Sequence, residues 1–141
     1  MRPPNTPPEE LSSGLPPASA TARPDARLAL DVDVLQHYIG TDAALEQEFL
    51  HEYRKSLNKH SEAMAGAVAE GDFRMIAMRA HTLKSSSRAA GATPLGDLLA
   101  ALETAAQRVD LEGVASDYAA VRAEIRHVTR RLDELLGPSP R

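Results

Sequence analysis

The sequence predicts an all-α fold, an up-and-down antiparallel four-helix bundle with a short extra N-terminal helix. Three observations carry this expectation. Four long segments repeat apolar residues every three or four positions, the period of a helix face. No segment alternates apolar and polar residues strictly, as a half-buried strand would. Proline, which interrupts helix and strand alike, is nearly confined to the ends: seven of the ten prolines fall in residues 1–26, and between Arg27 and Leu136 the only one is Pro94.

Residues 1–26 contain two leucines and no aromatic residue. So little apolar surface does not offset the entropy of ordering the chain, and the stretch is expected to be a disordered, proline-rich tail or linker. The bundle is expected over residues 27–137, with 138–141 as a disordered C-terminal end. The short first helix is read with Asp33 as its cap, Val34, Leu35, Tyr38 and Ile39 on one apolar side, and Gly40 at its end. A long helix follows from about Asp42, with Phe49, Tyr53, Leu57, Met64 and Val68 as its apolar stripe and Gly71 as its stop. Asp72 caps the next, where Phe73, Ile76, Ala80, Leu83, Ser87 and Ala90 are spaced 3, 4, 3, 4 and 3. Gly91 suits the C-terminal cap, because glycine enters the left-handed region without penalty. Thr93 and Pro94 are read as the cap and first residue of a helix burying Leu95, Leu98, Leu99, Leu102 and Ala106. Asp110 opens the last one, with Val114, Tyr118, Val121, Ile125, Val128, Leu132 and Leu135 in near-heptad register.

Composition narrows the chemistry. A length of 141 residues suits one domain. With no cysteine there is no disulfide framework, no thiolate-held metal and no thiol nucleophile. The formal charge of −4, with both signs interspersed, offers no concentrated basic patch for nucleic acid. No window of about 18 apolar residues is present to span a membrane. The opening MRPPNTPPEE lacks the apolar core of a signal peptide, so a cytoplasmic location is expected.

Five histidines remain as candidates for nucleophile, base or metal ligand. Helix bundles can hold metals through Glu-x-x-His pairs, and the chain has two such pairs, Glu48 with His51 and Glu124 with His127. His51 falls about 200° around its helix from Phe49, and His127 lies off the stripe of Ile125 and Val128. Both pairs are therefore expected to be exposed, and no metal site is assigned. His37 and His60 have no partner pattern and are read as surface or boundary residues. His81 differs. It lies mid-helix, away from much of the Ile76, Ala80, Leu83, Ser87 stripe, and Lys84, Ser85 and Arg88 follow on the same side at i+3, i+4 and i+7. An exposed imidazole with two cations beside it is suited to holding a phosphoryl group: the ring supplies a nucleophilic nitrogen and Lys84 and Arg88 supply charge. Periodicity alone leaves open a second reading, a solvated helix face that happens to carry one histidine.

The run AHTLKSSSRAAGATPLGDLLAALE, from Ala80 to Glu103, resembles the signature of histidine-containing phosphotransfer (HPt) domains. His81, Leu83, Lys84, Ser86, Ser87, Gly91, Ala92, Leu95, Leu99, Leu102 and Glu103 match the family's pattern. The turn Glu70-Gly71-Asp72-Phe73 and the segment LDVDVLQHYIG at 30–40 are similar to its flanking parts, so the likeness runs from about 28 to 136. Two positions depart from it: Ser85 stands where the family usually has glycine, and Ala90 replaces a larger aliphatic residue. At Ser85 the added hydroxymethyl group either crowds a partner or hydrogen-bonds the phosphoryl group.

The resemblance implies a relay with no autonomous kinase activity, in which His81 takes a phosphoryl group from one receiver-domain aspartate and passes it to another. It implies charge stabilisation by Lys84, orientation of the imidazole by Glu103, and partner docking through Met78, Ser85 and Arg88. Receiver domains of a hybrid sensor kinase and of a response regulator are the implied partners. Magnesium is expected in the receiver and no cofactor in this chain, which is expected to act as a monomer with no nucleic-acid partner and no membrane insertion. Residue patterns agree, since there is no glycine-rich phosphate loop and no carboxylate cluster. Two alternatives stay open. One is a phosphotransfer domain phosphorylated directly by a chemotaxis-type kinase, which the end of the chain at Arg141 without a kinase segment is expected to disfavour. The other is a helical adaptor that keeps the fold without relaying phosphate, which has no need of the His81–Lys84 pair.

Overall fold

The computed structural model describes residues 29–138. The tail expected over 1–26 and residues 139–141 of the C-terminal end lie outside the described residues. Among those described, every regular element is a helix: α1 (Val32–Ile39), α2 (Ala43–Glu70), α3 (Phe73–Ala90), α4 (Thr93–Gln107) and α5 (Leu111–Leu136).

The boundaries follow from local chemistry. Asp42, Asp72 and Asp110 each accept a hydrogen bond from the first turn of the helix they precede, through Ala44 and Leu45, Met75, and Gly113 respectively. Gly71 and Gly91 end α2 and α3 in the left-handed conformation, with φ of 68° and 93°. Two caps differ from the sequence reading. Asp31, not Asp33, caps α1; its carboxylate accepts from the Asp33 amide at 3.0 Å, while its own amide donates to Gly91 O at 2.9 Å. That contact ties the start of α1 to the turn between α3 and α4. It also gives Gly91 a second reason to be glycine, because an added Cβ would lie 2.0 Å from Asp31 O. At α4 the N-cap is Ala92, with no side-chain cap, and Thr93 is already helical.

Successive helices pack on one another, α2 on α3, α3 on α4 and α4 on α5, while α5 returns to α2 and α1 lies against α3 and α2. Sequential neighbours joined by short turns make the antiparallel bundle. Its core includes fully buried Leu50, Leu57, Met64, Ile76, Leu83, Leu95, Leu99, Leu102, Val121, Val128 and Leu132. Burying one such side chain contributes about 1.5–3 kcal/mol. The stripe of α2 sits a residue away from the expected one at both ends: Leu50 and Ala67 are buried, Phe49 and Val68 only half-buried. Leu98, Tyr118, Ile125 and Leu135 likewise line the edge of the core rather than its centre.

Two polar groups are built into the core. Tyr53 and Ser87 share a hydrogen bond of 2.7 Å between α2 and α3. Burial pushes the Tyr53 phenol well above its ordinary value, against a smaller opposing effect of the Ser87 hydrogen bond, so the phenol stays protonated. Arg54 is only 5% exposed. Its Nη1 donates to Gly137 O at 2.7 Å and to Asp133 Oδ1 at 3.4 Å, fastening α2 to the end of α5.

Candidate functional site

The site grows from one spacing and one interhelix contact. His81 and Lys84 are three residues apart on α3 and therefore share one side of it. Antiparallel packing of α4 on α3 sets Glu103 against both. The His81 side chain remains 62% exposed, whereas that of Glu103 is 13% exposed. Glu103 Oε2 lies 2.9 Å from His81 Nδ1, and Lys84 Nζ donates to Glu103 Oε1 at 2.8 Å. One half-buried carboxylate thus holds both an imidazole and an ammonium. Gln107, one turn further along α4, donates from Nε2 to Glu103 Oε2 at 3.5 Å.

The electrostatics of Glu103 favour one tautomer of the His81 ring. Burial alone pushes the Glu103 carboxyl up, but hydrogen bonds from Lys84 and His81, together with their charge, outweigh it and hold the group below the usual glutamate value. An ionised carboxylate only accepts, so His81 Nδ1 carries the hydrogen and donates it. In the neutral ring the lone pair then belongs to Nε2, the nitrogen away from Glu103. The arrangement presents one exposed, oriented imidazole at mid-helix.

The other expected site residues are distributed differently. Met78 is half exposed on the turn before His81, a large apolar group open to a partner. Ser85 is exposed, and its hydroxyl donates to the His81 carbonyl at 3.5 Å. Arg88 does not join the cluster. Its Nη2 is engaged by Asp97 Oδ1 of α4 at 3.1 Å, and its stem covers Gly96, where an added Cβ would fall 2.6 Å from Arg88 Cγ. Lys84 is not a free cation but the partner of Glu103, which the sequence reading assigned to His81 alone. Gln107 was missed; its i+4 spacing from Glu103 is the signal that marks it.

The remaining histidines stay apart from this site. His37 and His51 are exposed. His60 Nδ1 lies 3.3 Å from Arg79 Nη1, and burial, then the nearby Arg79 and Lys59 charges, lower its pKa. His127 and Glu124 are 3.2 Å apart and half-buried, which corrects the expectation that this pair is exposed. Among the described residues no group of three His, Asp or Glu side chains is gathered as a metal site. No helix among them is long and apolar enough to cross a membrane.

The antiparallel bundle thus turns one oriented imidazole toward solvent. The family model described as Hpt domain matches residues 48–136, and the chain belongs to that family. A histidine phosphotransfer role in phosphorelays, through contact with receiver domains, goes with that membership. The match begins within α2, so α1, which resembled the family's opening helix, lies outside the matched residues. No curated protein and no solved structure gives a significant match to the chain.

Proposed function

We propose that His81 is the phosphoryl acceptor and donor, relaying the group from the receiver domain of a hybrid sensor kinase to that of a response regulator. The observation that carries this reading is the bond between His81 Nδ1 and Glu103, which leaves Nε2 as an exposed nucleophile. In the forward step the Nε2 lone pair attacks phosphorus. An N–P bond forms, the P–O bond of the aspartyl phosphate breaks, and its electron pair returns to the receiver's carboxylate. The ring gains positive charge, which the Glu103 carboxylate opposes. Transfer onward is the same step reversed on a second aspartate.

Lys84 is assigned to charge stabilisation of the phosphoryl oxygens. Its pairing with Glu103 keeps the ammonium on the side of α3 that carries the ring. Met78 and Ser85 are the assigned docking positions beside it, and both are exposed. Arg88 has less support in either role, since Asp97 already engages it. Magnesium is assigned to the receiver and no cofactor to this chain. The relay is placed in the cytoplasm, with this chain acting as a monomer. Incubation with a labelled, phosphorylated receiver domain tests the proposal. Label is expected to move to an acid-labile, base-stable site, and His81→Gln is expected to abolish it while keeping the helical circular dichroism. Label that persists in that variant overturns the assignment.

A further inference from the structure

The face made by α2 and α5 closes the bundle opposite the α3–α4 face that carries His81. There the two helices leave an open groove of about 430 Å³. Met64, Ala65, Ile125 and the ring of Tyr118 give it an apolar lining, and Arg122, Arg126 and Glu62 stand at its edge. The Ser61 hydroxyl, in the same lining, is buried with no hydrogen-bond partner.

The charge on this face is unbalanced. Arg122, Arg126 and Arg130 are exposed at i, i+4 and i+8 of α5, a continuous stripe beside the groove. Arg54, Arg88 and Arg131 each have a carboxylate partner, but these three have none among the described residues. Glu62 is the one carboxylate among the groove residues. Arg122 lies over the Tyr118 ring, 5.9 Å from its centroid, which restrains the guanidinium before any partner arrives. Restraint of that kind lowers the ordering cost of binding.

We infer that this groove docks an acidic amphipathic helix of a partner protein, leaving His81 free. Apolar side chains of that helix cover Ala65, Tyr118 and Ile125, and carboxylates one turn apart meet Arg122 and Arg126, whose own spacing is one turn. The apolar lining sets this occupant apart from a nucleic-acid backbone, which needs only the arginines.

Titration of the 15N-labelled chain with a synthetic helical peptide, leucine on one face and glutamate on the other, tests the inference. Amide shifts are expected in residues 61–65 and 118–130. The double variant Arg122→Glu, Arg126→Glu is expected to weaken binding by about tenfold or more, with phosphotransfer unchanged. High salt is expected to weaken it as well. Absence of binding, equal binding of the lysine counterpart or of a duplex oligonucleotide, or shifts centred on His81 each overturn the inference. So does concentration-dependent dimerisation through these residues without peptide, which assigns the groove to a second copy.

Discussion

The two long faces of the bundle use charge in opposite ways. On the α3–α4 face every central charged group has a partner: Lys84 and His81 share Glu103, and Arg88 is held by Asp97. On the α2–α5 face the arginine stripe is unpaired among the described residues, beside an apolar groove. A paired cluster is preorganised, which suits a step that must align one nitrogen with a phosphorus atom. An unpaired stripe keeps its charge available for long-range attraction, which favours association over chemistry. On the assignments proposed above, the difference separates the face that carries the phosphoryl chemistry from a second face that recruits a different partner.

Short of replacing His81 itself, the largest expected effect comes from removing the shared carboxylate. Glu103→Ala is expected to slow phosphotransfer about 10–100-fold, the loss of a hydrogen bond to a charged group. Glu103→Gln, which still accepts from the ring but carries no charge, is expected to fall between Ala and wild type. The Arg122→Glu, Arg126→Glu variant is expected to leave the rate unchanged, and equal slowing would erase the distinction between the faces. Because the Glu103 pKa is lowered by folding, its stabilising contribution is present above the unfolded value and is lost as pH falls through the folded one. The difference in thermal stability between wild type and Glu103→Gln is therefore expected to shrink on acidification below pH ~4.

Core and turn changes sharpen the comparison by moving stability without moving the site. Ser87→Ala strips the buried Tyr53 hydroxyl of its partner and is expected to cost about 1–3 kcal/mol in denaturant unfolding. Val109 follows α4 with φ of 54°, a left-handed conformation that a β-branched residue adopts only with strain. Val109→Gly is expected to stabilise the domain by about 1 kcal/mol, read as a higher unfolding midpoint. The smallest effect is expected at Ser85. Ser85→Gly should destabilise α3 by a few tenths of a kcal/mol, the difference in helix propensity. By removing bulk one turn beyond His81 it is also expected to speed acceptance from non-cognate receivers more than from the cognate one. Equal slowing with both receivers would instead assign the hydroxyl to the phosphoryl group.

Much of the fold was legible because its signals are local. Asp42, Gly71, Asp72, Gly91 and Asp110 each mark a boundary through a bond within a few residues. Where two residues competed, a distant contact decided: Asp31 prevailed over Asp33 at a position where its amide reaches Gly91. Ser87 was legible as a buried stripe position, but its bond to Tyr53 and the burial of Arg54 were not, since the partners lie 34 and 79 positions away. At the site, the helical period placed His81 and Lys84 on one side, and the family pattern suggested Glu103. That Lys84 turns to Glu103, and Arg88 to Asp97, depends on how α4 packs, which no spacing within α3 encodes.

The central claim is that Glu103 holds His81 Nδ1 and leaves Nε2 to carry the phosphoryl group. Nitrogen and phosphorus NMR of the chain labelled with 15N-histidine and phosphorylated by a receiver domain measures this directly. The account predicts phosphorus coupled to Nε2 of His81, with Nδ1 still protonated. Phosphorus on Nδ1, or on any other residue, would contradict it.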